Sequence, residues 1–205
     1  YMVGGVEMFG FPFSTGDDVR SSPAVADLDK NNSLELIIGS HDGSLDILNG
    51  FGQQLATHQV NGSINGSPAA VDLDQDGDLE VVFTSYNGNS GDVHAIHHNG
   101  STFYSFPVNL NEKMVGGAAA GDLDGDGYPE LVVCTDDDNI YAINRDGSIM
   151  LGFPFTSTDR FFNAPTLVDL DGDNDLEIVV GNRRGTLHVL HHDGTEMASY
   201  DVGDD

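Results

Sequence analysis

The sequence predicts an all-β fold of four short-stranded sheets, and three observations carry that prediction. Four segments repeat one pattern of strands and turns, the apolar runs are short and rich in strand-forming residues, and no useful stretch shows a helical period. Each repeat carries one acidic loop: Asp27-Leu28-Asp29, Asp72-Leu73-Asp74, Asp122-Leu123-Asp124 and Asp169-Leu170-Asp171, with first residues spaced 45, 50 and 47 apart. Four short strands in about 47 residues is the size of one β-propeller blade.

The elements of a blade follow in order. Before each loop stand small and apolar residues: Ser22–Ala26, Ser67–Val71, Gly117–Gly121 and Ala164–Val168. They suit the crowded innermost strand near a propeller axis. After each loop comes a second strand: Leu36-Ile37-Ile38, Val81-Val82-Phe83, Leu131-Val132-Val133 and Ile178-Val179-Val180. Third strands alternate through Leu45 and Ile47, Val93 and Ala95, Ile140, Tyr141 and Ile143, and Leu187 and Val189. Turns at Phe51-Gly52, Asn99-Gly100, Asp146-Gly147 and Asp193-Gly194 lead into fourth strands such as Thr102–Pro107 and Ile149–Phe155. Extra residues near Asn87–Gly91 are expected to lengthen a loop.

One propeller-type domain over 1–205 is therefore expected, with blades at 17–61, 62–110, 111–157 and 158–205. Residues 1–16 hold a surplus: Glu7–Phe13, ending Gly10-Phe11-Pro12-Phe13, matches Met150–Phe155 and reads as an outer strand without its three inner ones. A piece of a longer repeat array or a strand-exchange closure would each explain it. With no Met at the start and no charged-then-apolar leader, the chain reads as a mature product or a piece of a larger protein.

Composition narrows the partners. The chain has 34 Asp and Glu against 7 Lys and Arg, a formal charge of -27. So negative a surface repels phosphate backbones and anionic membranes, which excludes nucleic acid and leaves cations as the natural partner. No apolar stretch approaches the roughly 18–20 residues of a membrane span. The lone cysteine, Cys134, sits in an apolar run and reads as a buried structural thiol.

The acidic loops have the chemistry of a hard-cation cage. Numbering each from its first Asp, loop 2 offers Asp72, Asp74 and Asp76 at positions one, three and five, the Asp78 carbonyl at seven and Glu80 at nine. Loop 3 repeats this with Asp122, Asp124, Asp126, the Tyr128 carbonyl and Glu130, and loop 4 with Asp169, Asp171, Asp173, the Asp175 carbonyl and Glu177. Loop 1 uses Asp27, Asp29, Asn31, the Ser33 carbonyl and Glu35. Oxygen donors in this number suit Ca²⁺ rather than Zn²⁺, about four ions per chain. Position six, Gly77 and Gly127 in loops 2 and 3, needs a left-handed backbone, which Asn32 and Asn174 also tolerate. These four loops hold 17 of the 34 acidic residues, so without a cation they repel themselves. An EF-hand shares the opening but needs flanking helices and a Glu at position twelve, and both are missing.

On these residues the repeats resemble FG-GAP/VCBS repeats, the blades of integrin-α-like propellers. The resemblance covers nearly the whole chain. It implies a propeller, usually seven-bladed, with Ca²⁺ in the hairpin between the first two strands of a blade, held by the residues just named. Two features depart from the family pattern. Four repeats cannot close a seven-bladed ring, and Gly66-Ser67-Pro68 and Asn163-Ala164-Pro165 only approximate the family's Gly-Ala-Pro signature.

No nucleophile–base motif, zinc-protease motif or phosphate loop is present. His97-His98 and His191-His192, with His94 and His188, lack the spacing of a transition-metal set and read as surface residues at strand ends. The Phe-Pro-Phe elements at Phe11–Phe13 and Phe153–Phe155 read as packing between blades. The expected function is a non-enzymatic, calcium-stabilised, secreted or surface-attached scaffold for a protein or glycan partner. The absence of Trp disfavours a glycan platform. The alternatives are a non-catalytic or partial propeller of a secreted polysaccharide lyase or peptidase, and a structural protein that self-associates through open blade edges.

Overall fold

Strands in a propeller blade are covered on both faces by neighbouring blades, so their apolar residues run continuously instead of alternating. The second strands have this character, and each repeat closes into one four-stranded antiparallel sheet with its strands in chain order. A computed structural model describes residues 2–3, 6–7 and 9–203. A small leading hairpin pairs β1 (Met2–Val3) with β2 (Val6–Glu7). Blade 1 contains β3 (Ala24–Ala26), β4 (Glu35–Gly39), β5 (Ser44–Leu48) and β6 (Gln54–Gln59). Blade 2 contains β7 (Ala69–Val71), β8 (Glu80–Asn87), β9 (Ser90–Ile96) and β10 (Val108–Asn109). Blade 3 contains β11 (Ala119–Gly121), β12 (Glu130–Cys134), β13 (Asn139–Ile143) and β14 (Phe155–Thr156). Blade 4 contains β15 (Thr166–Val168), β16 (Glu177–Gly181), β17 (Thr186–Leu190) and β18 (Glu196–Asp201).

The core lies between blades. Leu28, Ile37, Ile47, Val81 and Phe83 fill the space between blades 1 and 2. Leu73, Val82, Val93, Leu131 and Val133 do so between blades 2 and 3. Leu123, Val132, Cys134, Phe161 and Ile178 do so between blades 3 and 4. Val81 and Val82 thus point to opposite neighbours, as successive strand residues must. Burial pushes the Cys134 thiol pKa upward, which keeps it an inert packing group.

Three local expectations change. The extra residues at Asn87–Gly91 do not make a longer loop: β8 and β9 lengthen instead, with Asn87 paired to Ser90 around a tight turn. The fourth strands of blades 2 and 3 begin later than expected, at Val108 and Phe155, and Thr102 and Ile149 contribute single bridges. The expected outer strand at Glu7–Phe13 includes Met8, which lies outside the described residues. Glu7 ends β2, and residues 9–16 form turns and bends. They nevertheless pack like an outer strand. A Cβ at Gly10 would collide with the Phe51 carbonyl of the blade 1 turn, as one at Gly152 would with the Asp193 carbonyl of the blade 4 turn.

The inner strands β3, β7, β11 and β15 lie side by side in that order. The two ends of the row are open. Leu28, Leu73 and Leu123 are at most 1% exposed beneath the following blade, whereas the equivalent Leu170 of blade 4 is 52% exposed. At the other end Val25 and Leu34 are exposed beside Phe11 and line a concavity of about 280 Å³.

A small residue just before the inner strand β11 is required by contact. A Cβ at Gly116 would lie 2.7 Å from the Asn163 carbonyl carbon, and one at Gly181 would meet nothing within 4 Å. Gly116→Ala is therefore expected to destabilise by about 1–3 kcal/mol. Gly181→Ala should stay within about 0.5 kcal/mol, as read by denaturant unfolding of both variants.

Candidate metal loops

Each acidic loop joins the first and second strands of its blade and is shaped by two left-handed residues. At position six these are Asn32, Gly77, Gly127 and Asn174, with φ of 67°, 104°, 96° and 83°. At position four they are Lys30, Gln75, Gly125 and Gly172, with φ of 52°, 62°, 72° and 85°. The chain therefore folds in on itself twice, and side-chain oxygens catch the backbone amides this exposes. Oδ1 at position three accepts from the amide of position five: Asp29 from Asn31 at 3.2 Å, Asp74 from Asp76 at 3.2 Å, Asp124 from Asp126 at 3.2 Å and Asp171 from Asp173 at 3.3 Å. Oδ1 at position five accepts from position seven: Asn31 from Ser33 at 2.7 Å, Asp76 from Asp78 at 2.9 Å, Asp126 from Tyr128 at 2.8 Å and Asp173 from Asp175 at 3.2 Å. The residues whose carbonyls were expected to face an ion are fixed in this way.

The glutamate at position nine anchors each loop from below. Oε2 of Glu35, Glu80, Glu130 and Glu177 accepts the amide of Leu28, Leu73, Leu123 and Leu170 at 3.0, 2.9, 2.9 and 2.8 Å. All four glutamates are buried. In loops 1–3 this brings together Asp27, Asp29 and Glu35, then Asp72, Asp74 and Glu80, then Asp122, Asp124 and Glu130, with donor atoms within 4.8 Å of one another. Oδ1 of Asp27, Asp72 and Asp122 is buried and has no hydrogen-bond partner. A buried carboxylate oxygen without a donor is costly, and a hard cation bound to oxygen would satisfy it. The residues present fit such an ion.

Loop 4 departs from this geometry. Asp169 is exposed and accepts from Gly172 N at 2.6 Å. The groups that converge are Asp169, Asp171 and Asp173 on one side, and Asp171, Glu177 and His191 on the other. Two of the histidines, His94 and His188, are not surface residues, while the other four stay partly exposed at strand ends. His94 and His188 are buried between blades, and His97, His98, His191 and His192 are half-buried against loop carboxylates. His97 Nδ1 lies 3.0 Å from Glu80 Oε1 and His98 Nδ1 lies 3.3 Å from Asp78 Oδ2. Their repetition in alternate blades was the signal available in the sequence. The missing piece was that the turn they sit on folds back beside the acidic loop.

Neighbouring loops are also stitched together. Leu79 N donates to Leu28 O at 2.8 Å, and Leu176 N donates to Leu123 O at 3.2 Å. Loop 3 has Pro129 at the equivalent position, which has no N–H to give. There Gln75 Nε2 donates to the Gly127 carbonyl instead. Lys30 Nζ reaches Asp72 Oδ2 at 3.8 Å, so the loops form a continuous acidic row along one face.

The FG-GAP-like repeat family matches residues 72–133 and 122–180, more than half of the chain. The chain belongs to that family. The match spans loops 2, 3 and 4. No curated protein matches the chain significantly in sequence. Among solved structures, the Vibrio cholerae biofilm matrix protein Bap1 aligns over 96% of this chain at 23% identity with a TM-score of 0.70. The alignment covers 31% of Bap1, so the chain spans about a third of that protein. The computationally designed protein Ika4 aligns over 91% of this chain and 98% of its own at 15% identity, TM-score 0.67. The Pseudomonas aeruginosa PilY1 C-terminal domain aligns over 85% and 50% at 15% identity, TM-score 0.62. These likenesses establish the fold.

The buried Glu130 makes a metal-free loop 3 sensitive to pH. Burial, followed by repulsion from Asp124, Asp126 and Asp122, outweighs the Leu123 amide and pushes the Glu130 pKa from 4.5 up to about 7. The folded state then holds a proton that the unfolded state has lost. Stability is full below the unfolded value and declines as pH rises toward about 7. In chelator, Glu130→Gln is expected to unfold at higher urea than the parent at pH 8 and to lose that advantage near pH 4.5. With calcium present at pH 8 the order should reverse, because the amide is a poorer metal ligand.

Proposed function

We propose that this FG-GAP-like repeat chain is a calcium-stabilised, non-enzymatic scaffold that works outside the cell and presents a rigid face to a protein or glycan. The observation that carries this reading is the set of buried, unpartnered Oδ1 atoms of Asp27, Asp72 and Asp122, each beside a buried glutamate. Ca²⁺ would neutralise each loop and fix the first hairpin of each blade. Extracellular calcium fills even sites with Kd of about 10⁻⁴–10⁻³ M. The similar fold of a biofilm matrix protein agrees with a surface setting. Among the described residues no helix is long and apolar enough to cross a membrane. The charge of -27 turns nucleic acid away.

One constellation resembles a hydrolase. Ser157 Oγ lies 2.9 Å from His188 Nε2, and His188 Nδ1 lies 2.9 Å from Glu196 Oε1. Sequence reading missed it, because Ser157 belongs to blade 3 and His188 to blade 4. We read it as a tie between blades. The Ser157 hydroxyl also accepts from Asn182 Nδ2 at 3.0 Å, and the buried imidazole packs edge-on against Phe155 and Phe161. A fluorophosphonate probe is expected to leave Ser157 unlabelled. Labelling that disappears in Ser157→Ala would make the chain an acyl-transfer enzyme and end the non-enzymatic reading.

The calcium reading is tested by thermal unfolding of metal-stripped protein with and without millimolar Ca²⁺, with Mg²⁺ as the control. Each independent site filled at about 100 times its Kd adds roughly 2.7 kcal/mol. A Ca²⁺-selective rise in Tm, reduced in Asp72→Asn and Asp122→Asn, is the expected result. An unchanged Tm in folded, metal-free protein would leave the loops as acidic turns.

A further inference from the structure

We propose that loop 4 holds a first-row transition-metal dication of the Zn²⁺ class between Asp171, Glu177 and His191, with Asp175 and His192 beside it. Glu177 is fully buried; its Oε2 is taken by the Leu170 amide, and its Oε1 has no hydrogen-bond partner. Donor atoms of Asp171, Glu177 and His191 converge within 4.8 Å of one another. His191 Nδ1 stands 3.6 Å from Glu177 Oε1, which is too long for a hydrogen bond. It is close to the roughly 3.3–3.5 Å that separates two ligand atoms bound tetrahedrally at about 2.0–2.1 Å from one ion.

The neighbouring pair points the same way. His192 Nδ1 touches Asp175 Oδ2, yet the nitrogen has no hydrogen-bond partner, and neither does the buried Asp175 Oδ1. Two buried carboxylate oxygens without hydrogen-bond partners, Glu177 Oε1 and Asp175 Oδ1, thus stand at one loop with an imidazole nitrogen close to each residue. Imidazole favours borderline dications, whereas oxygen-only sets favour Ca²⁺ and Mg²⁺.

The repeat supplies its own comparison. Asn49 and Asn144 stand where His191 stands, since all three accept the same turn-closing backbone bond. Asn49 spends its Oδ1 on the Phe51 and Gln53 amides, and Asn144 Nδ2 donates to Ser148. Loops 1 and 3 therefore keep oxygen donors alone. In blade 2, His97 already hydrogen-bonds Glu80 Oε1. Loop 4 combines a histidine at this position with an unpartnered glutamate oxygen. The inference needs the loop 4 carboxylates to bind a cation, as the calcium reading does, but does not need that cation to be calcium.

The test is equilibrium dialysis of the metal-stripped chain against Zn²⁺ in millimolar Ca²⁺, with both metals counted by elemental analysis. The parent is expected to retain one Zn²⁺ per chain that His191→Asn loses, with bound Ca²⁺ unchanged at the other loops. Asn is the residue blades 1 and 3 tolerate in this place. Equal Zn²⁺ retention by parent and variant, or complete displacement by Ca²⁺, would overturn the proposal. Zn²⁺ bound through His191 without any bound Ca²⁺ would remove the calcium reading and leave this one standing. Should the variant fail to fold, imidazole NMR of the parent decides: a Zn²⁺-induced shift of the His191 ring nitrogens supports the site, and unmoved signals refute it.

Discussion

A buried glutamate accepting one backbone amide is the contact on which each blade turns. Oε2 of Glu35, Glu80, Glu130 and Glu177 holds the amide of the leucine two places into the acidic loop. That bond closes the hairpin between the first and second strands. In blades 1–3 it also drives the leucine beneath the following blade, where Leu28, Leu73 and Leu123 join the core. The loop and the hydrophobic packing are therefore one cooperative unit. The contact also has a cost, because a carboxylate in the core is poorly solvated and shares its loop with two to four other acids. Burial raises the Glu80 pKa as it does that of Glu130. A cation at the loop, as proposed, would resolve the conflict by supplying the missing positive charge.

The same repetition that stabilises the middle of the molecule leaves its ends unfinished. Every inner face is built to receive the outer face of a neighbour, so only the blades with two neighbours are fully covered. Leu170 and Leu34 mark the two uncovered faces. Residues 9–13 partly shield one of them by packing on the Phe51-Gly52 turn, in the manner of a preceding blade's outer segment. The sequence match between this segment and Met150–Phe155 thus has a structural counterpart, although its backbone forms turns and bends where a strand was expected.

Sequence identity across the loops conceals real differences between them. Loop 3 loses one link to loop 2 because Pro129 cannot donate, and a glutamine side chain substitutes. Loop 4 turns Asp169 toward Gly172 and brings two histidines to the remaining acids. Loop 2 also faces two histidines, but its Glu80 Oε1 is bonded to His97, whereas Glu177 Oε1 of loop 4 has no hydrogen-bond partner.

The sequence by itself determined the repeat, the strand order, the all-β class and the loop residues, because periodic patterning and glycine or asparagine at left-handed positions are local properties of the chain. Position six was legible through Gly77, Gly127, Asn32 and Asn174; position four was not, since Lys30 and Gln75 adopt positive φ without a compositional mark. Tertiary structure alone decided which glutamate oxygen remains available, which histidines lie against carboxylates, and that Ser157 meets His188 across two blades. Those outcomes depend on the distance between side chains far apart in sequence, which is fixed only when blade packs on blade.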